Sequence, residues 1–254
     1  MAKINAQSTA VRSLTATVDL EPSTGSVYSG VIKQYHDVKG FLLVRKPAFI
    51  RMTGQAPVVR TDIFDMASDG KQFKLYIPSE NKFYVGETGM AQKPGKTLEN
   101  MRPQHVLSAL LLAPADSAKG SYFIEEADRN SERDYVVGEV EPSATPGIDD
   151  LRRTIWFNRT DLQISSVQLY DGGGQVEENI QYSDYQNTGG VDYPRRIEIR
   201  RPKEDYALTI TLLSAQFNQT VPLSKFNLQK PANAQLIDLS AQASTGQAGE
   251  SRGQ

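Results

Sequence analysis

The chain has 254 residues, 39% of them hydrophobic, a formal net charge of -2 and no cysteine. That length supports one sizeable core, and the near-neutral charge gives no global basic field for nucleic acid or an anionic membrane. Disulfides and thiolate metal sites are excluded in this chain, and no uninterrupted apolar run approaches the roughly 20 residues of a membrane-spanning helix.

The chain begins Met1-Ala2-Lys3-Ile4-Asn5-Ala6-Gln7. This reads as the inside of a helix with no cap before it, so we expect an export signal and a first helical turn to lie upstream, a stretch that could also carry a lipidated cysteine. Residues 2–12 read as a short helix. Leu14, Ala16, Val18 and Leu20 alternate with polar neighbours, which marks a first strand with one buried face. Residues 27–45 read as one long strand or two, with His36-Asp37 as a bend. Lys46-Pro47 ends that stretch, since proline cannot donate to a central ladder. Ile50 and Met52 then alternate with Phe49 and Arg51. Residues 57–66 form another strand, and Phe73, Leu75 and Ile77 alternate with Gln72, Lys74 and Tyr76. Ser68-Asp69-Gly70 and Pro78-Ser79-Glu80-Asn81 are the turns on either side. Residues 82–87 close this first meander.

The character changes at residues 97–112. Leu98, Met101, Val106, Leu107, Leu110 and Leu111 follow helical spacing, with Thr97 as N-cap and Pro103 marking a later start or a kink. Leu107, Leu110 and Leu111 share one helical face. Strands resume at 122–126, 135–140, 152–158 and 163–170. A second meander spans 176–185, 191–201 and 205–217, with Leu208 and Ile210 on its apolar parity. Residues 1–239 read as one domain and 240–254, small and polar, as a disordered tail.

Chemistry is absent from these patterns. His36 and His105 are far apart in sequence, no Gly-x-Ser-x-Gly elbow exists, and Asp171-Gly172-Gly173-Gly174 lacks the lysine of a phosphate loop. No catalytic residue, cofactor or metal ligand is assigned. Arg195-Arg196 with Arg200-Arg201 reads as a solvated strand face.

The ordered set of Lys46-Pro47, Phe49 to Met52, Ser68-Asp69-Gly70, Phe73 to Ile77 and Pro78 to Asn81 resembles the lipoprotein carriers typified by LolA and LolB. Trp156 to Leu162, Tyr193-Pro194-Arg195 and Phe226-Asn227-Leu228 with Pro231 continue the likeness across residues 2–239. The resemblance implies a mainly β fold, an antiparallel sheet curled into an unclosed half barrel with one or two helices covering the concave face. It implies a monomeric, non-enzymatic carrier or acceptor in the periplasm, soluble or lipid-anchored, that transfers lipoprotein acyl chains or lipids to the outer membrane. Its partners would be an inner-membrane release complex and an outer-membrane acceptor, with no nucleic acid. Lys46 stands where the family has an arginine that holds the lid closed, and lysine cannot repeat that planar contact. Parity then places Val44, Ile50 and Met52 on the concave face with Lys46. The expected lining is Val44, Lys46, Ile50, Met52, Phe73, Leu75, Ile77, Leu107, Leu110, Leu111, Leu208 and Ile210. An envelope lipid sensor or a structural envelope protein on the same fold is the alternative.

Overall fold

A computed structural model describes residues 1–24, 33–34, 38–56, 60–89, 102–129 and 132–240. The helices are α1 (Ala2–Ala10) and α2 (Pro103–Leu110). The first strands are β1 (Ser13–Thr24), β2 (Lys33–Gln34), β3 (Val38–Arg45), β4 (Phe49–Gln55), β5 (Asp62–Ser68), β6 (Gln72–Ile77) and β7 (Lys82–Glu87). After α2 come β8 (Ser121–Arg129), β9 (Glu132–Pro142), β10 (Asp149–Asn158), β11 (Ile164–Tyr170), β12 (Val176–Thr188), β13 (Val191–Arg201), β14 (Tyr206–Phe217) and β15 (Gln235–Asp238). Strand pairing follows one path, β15-β7-β6-β5-β4-β3-β1-β14-β13-β12-β11-β10-β9-β8, with β2 beside β1. The sheet is antiparallel apart from the parallel β15–β7 pair, and among the described residues its end strands β15 and β8 do not pair to close it into a barrel. Among the described residues no helix is long and apolar enough to cross a membrane.

The chain groups into two compact units. One, here the α2 unit, comprises Val11–Leu20, Asp37–Leu111 and Leu212–Gln254; the other, the α1 unit, comprises Met1–Ala10, Glu21–His36 and Leu112–Thr211.

In the α2 unit, the period-two patterning puts every second side chain on one buried face. Directly paired residues run across the strands in rows. Leu14, Val44, Ile50, Ser68, Phe73 and Gly86 form one. Ala16, Leu42, Met52, Met66, Leu75 and Tyr84 form the next. A third row, Val18, Gly40, Gly54 and Phe64, carries two glycines side by side. The buried Phe64 ring occupies the space a side chain at Gly54 would need, since a Cβ there would lie 2.3 Å from the ring. Gly54→Ala is therefore expected to destabilise the fold by about 1–3 kcal/mol through overpacking. Thermal melts of that variant and of Gly54→Ala/Phe64→Leu check it, the double variant recovering most of the loss.

The turns are set locally. Asp69 Oδ1 accepts from the N–H groups of Lys71 (2.8 Å) and Gln72 (2.9 Å), and Gly70 takes φ 91° with Ala48 close against it. The two Pro-x-Glu turns are alike: Pro78–Glu80 and Pro202–Glu204 each form one 3-10 turn, closed by a left-handed Asn81 or Asp205. Both allow αL because their short polar side chains tolerate it.

The outer face of the same strands is covered by the segment after β14. Arg45 Nη1 donates to Val221 O (2.8 Å), Arg51 grips Asp65 and donates to Lys225 O, and the Phe49 ring packs tilted against Phe226 with centroids 5.5 Å apart. Phe83, Ala67, Leu228 and Ala234 form a small core beneath it. The segment ends as β15, which the sequence patterning did not reveal.

In the α1 unit, an aliphatic row runs Val137, Ile155, Val167, Ile180, Ile199 and Leu208. The adjoining row is polar: Glu139, Arg153, Leu169 and Glu178 are paired in turn, and Glu178 meets Arg201, itself opposite Tyr206. Arg201 is thus buried, not solvated as its cluster suggested, because it shares inward parity with Ile197 and Ile199. Arg153, ion-paired with Glu139, also donates to Ala113 O (3.0 Å) and Pro114 O (2.9 Å). Asn5 of α1 accepts from the Ala115 N–H at 2.8 Å, while Ile4 and Ser8 are buried.

The expected strand start at 57–59, the bend at His36-Asp37, the cap at Thr97 and the tail at 241–254 lie outside the described residues.

Candidate functional site

The sheet face of the α2 unit supplies an extended apolar surface under a helix. Ile50, Met52, Val44, Phe73, Leu75 and Ile77 all point to it and are buried. α2 packs on β4 and β5. Its first described turn begins at Pro103, one residue after an extended Arg102 (φ −94°, ψ 129°). The pre-proline position disfavours helix, and Pro at the first turn has no N–H to leave unmet. That places Val106, Leu107, Ala109 and Leu110 inward, with Leu111, just past the helix end, buried as well.

Polar contacts fix the start of α2 over the first row. Gln104 Nε2 donates to Ser68 Oγ at 2.9 Å, and Ser68 Oγ in turn donates to Gln72 O (2.8 Å) and accepts from Gly70 N–H (3.1 Å). The Arg102 guanidinium carbon lies 4.6 Å from the centroid of the Phe73 ring, a cation–π geometry. Arg102, Gln104 and Ser68 were not singled out from sequence. A polar residue beside a helix start reads as a solvated end, and Ser68 reads as turn material.

Nine of the expected lining residues thus come together here: Val44, Ile50, Met52, Phe73, Leu75, Ile77, Leu107, Leu110 and Leu111. Their strand neighbours Leu14, Leu42, Met66 and Tyr84 belong to the same surface, and strand alternation was the signal that could have added them. Lys46 lies in the turn after β3, half-buried, and burial lowers its ammonium below the ordinary lysine value. Leu208 and Ile210 lie in the α1 unit, paired with Ile199 and Ile197.

Gln104→Ala tests how firmly the helix is held. Ser68 Oγ keeps its two turn partners, so the loss is expected to be about 0.5–1.5 kcal/mol, the net worth of one hydrogen bond. Thermal melting and hydrogen exchange at residues 103–110 measure it, with faster exchange of the α2 amides as the expected result.

No protein-family model matches the chain, and no curated protein sequence matches it. Solved structures do. A LolA superfamily protein from Nitrosomonas europaea aligns with a TM-score of 0.55 at 12% identity, over 89% of this chain and 97% of that one. A DUF1329 family protein from Desulfovibrio piger aligns at 0.57 and 11% identity, over 89% and 93%. A domain described as an outer membrane lipoprotein-sorting protein, from Vibrio parahaemolyticus, aligns at 0.55 and 11% identity, over 89% and 95%. At these identities the likeness concerns the fold.

Proposed function

We propose that this chain, which shares the fold of the LolA superfamily, is a periplasmic carrier or acceptor that holds lipoprotein acyl chains or lipids on the apolar face beneath α2. The observation that carries the reading is a row-by-row apolar sheet face under a short helix, tied at its start by Gln104 to Ser68. The fold shared with a LolA superfamily protein and a lipoprotein-sorting domain supports it.

The energetics permit exchange. Lifting α2 exposes Val106, Leu107 and Leu110, a cost of about 5–9 kcal/mol at 1.5–3 per side chain. A sixteen-carbon acyl chain, at ~0.8 kcal/mol per methylene, gains about 12 kcal/mol on burial. The empty protein therefore stays closed, and an acyl chain supplies enough to replace the helix. No bond is made or broken, and the reading assigns no catalytic residue. Transfer to the outer membrane, with release and acceptor partners on either side, belongs to the same proposal.

The test is native mass spectrometry of protein purified from a lipid-rich bacterial host, together with titration by a fluorescent sixteen-carbon fatty acid. A co-purifying acyl adduct and saturable binding are expected. Neither adduct nor saturable binding would overturn the carrier reading.

A further inference from the structure

The two ends of the strand path are finished differently. Beyond β7 the chain returns its own strand, β15, in parallel register from Gln235↔Lys82 to Asp238↔Val85. At the other end, β8 pairs with β9 alone among the described residues, without a break, from Ser121↔Val140 to Arg129↔Glu132. Its outer edge therefore presents a row of backbone N–H and C=O groups about 30 Å long, at the usual rise of a strand. Exposed edges are ordinarily blunted by charged side chains, lysine above all, by proline or by a bulge. The β8 sequence, SYFIEEADR, has no lysine, no proline and no register shift; its charges, Glu125, Glu126 and Asp128 with Arg129, make the edge acidic and select against like strands while leaving it open to a basic one.

The side chains on this edge say what would pair with it. Ile124 is 68% exposed and Phe123 37%. Phe123 is held in place, since its ring lies across Gly138, where a Cβ would sit 2.1 Å away. Glu125 and Asp128 face solvent, and Glu126 reaches Arg159 at 2.9 Å. A second copy of this chain, pairing β8 with β8 antiparallel over its full length, would set Glu125 against Glu125. We propose that β8 is a docking edge that takes up an extended, basic and apolar segment of a partner protein by strand addition. Backbone bonds would supply affinity, and the glutamates and Ile124 would select lysine- or arginine-bearing strands with apolar alternates.

The probe is a fluorescent nonapeptide alternating lysine with valine, compared with its glutamate–valine counterpart and with a version N-methylated at alternate residues. Anisotropy should show saturable binding of the lysine peptide at least tenfold tighter than either control, with slowed amide exchange across residues 121–129. Ile124→Lys/Glu125→Lys alters exposed side chains outside the acyl face. It should keep the wild-type melting temperature and weaken peptide binding at least tenfold. Equal binding of the N-methylated peptide would mean charge adhesion without strand pairing and overturns the proposal. So does absence of binding, or binding unchanged in the variant. A dimer seen by sedimentation and abolished by the same variant would assign the edge to self-association and likewise overturn it. None of these outcomes depends on whether acyl chains bind beneath α2.

Discussion

Arg201→Met is expected to cost about 3–5 kcal/mol of stability, the typical loss when one partner of a buried ion pair is removed, and a large part of the 5–15 kcal/mol that holds a domain together. Arg201 is 4% exposed and donates to Glu178 (2.6 Å), to both oxygens of Glu204 (2.7 and 2.8 Å) and to Glu177 (3.1 Å). Burial alone would depress its charge. Hydrogen bonds and attraction from Glu204 and Glu178 outweigh this and hold the guanidinium above its ordinary value. Without it, Glu178, 1% exposed, loses the cation it meets at 2.6 Å. Glu177 and Glu204 are more exposed and can be hydrated, so the cost falls on Glu178. Two readouts separate this cause from simple loss of packing. Protonating a buried carboxylate that has lost its cation lessens the penalty, so the gap between variant and wild type should narrow as pH falls below neutrality. Arg201→Met/Glu178→Met should recover most of the loss, because an apolar pair of similar volume avoids the desolvation of both charges. A constant gap across pH, or a double variant no better than the single, would show that the ion pair is not what stabilises this end of the α1 unit.

Where one strand face is wet and the other dry, the sequence is its own map. Residues 82–87 and 191–201 begin and end in the structure where alternation and turn residues placed them, and the first meander follows its predicted order. The failures have physical reasons. β15 is four residues long, largely exposed, and finds its partner β7 about 150 residues away, so no local pattern announces it. Arg201 looked solvated because charge clusters usually are; its parity with Ile197 and Ile199 was the available signal, and it points inward. The later start that Pro103 marked in the sequence is the one α2 adopts, because the residue before proline resists helix. Its tie to the sheet runs through Gln104 and Ser68, a pair 36 residues apart whose meeting depends on tertiary packing. Lys46 was placed by motif, and it lies half-buried in the turn after β3.

Tying α2 down should abolish acyl uptake. If cargo occupies the face that α2 now covers, Leu107 and Leu110 must leave Ile50, Met52 and their row for an acyl chain to enter. The chain contains no cysteine, so an introduced pair is uniquely reactive. Gln104→Cys/Ser68→Cys replaces two side chains already in contact at 2.9 Å, and a short thiol-reactive linker with a reducible disulfide spans them. In the unlinked variant the missing hydrogen bond should leave uptake of the fluorescent fatty acid at or above the wild-type rate. Linking should slow uptake at least tenfold, since opening then requires separating β5 from its neighbours. Reduction of the linker should restore the rate, which separates a locked helix from damage to the turn that Ser68 supports. The linked protein should also melt at a higher temperature, because the closed state is constrained. Uptake that survives the link unchanged would make α2 a fixed part of the core and leave any cargo to another surface. Uptake lost in the unlinked variant as well would mean that Ser68 matters through its bonds to Gly70 and Gln72. The lock would then move to Ser108, one turn along the helix, paired with a cysteine on β4.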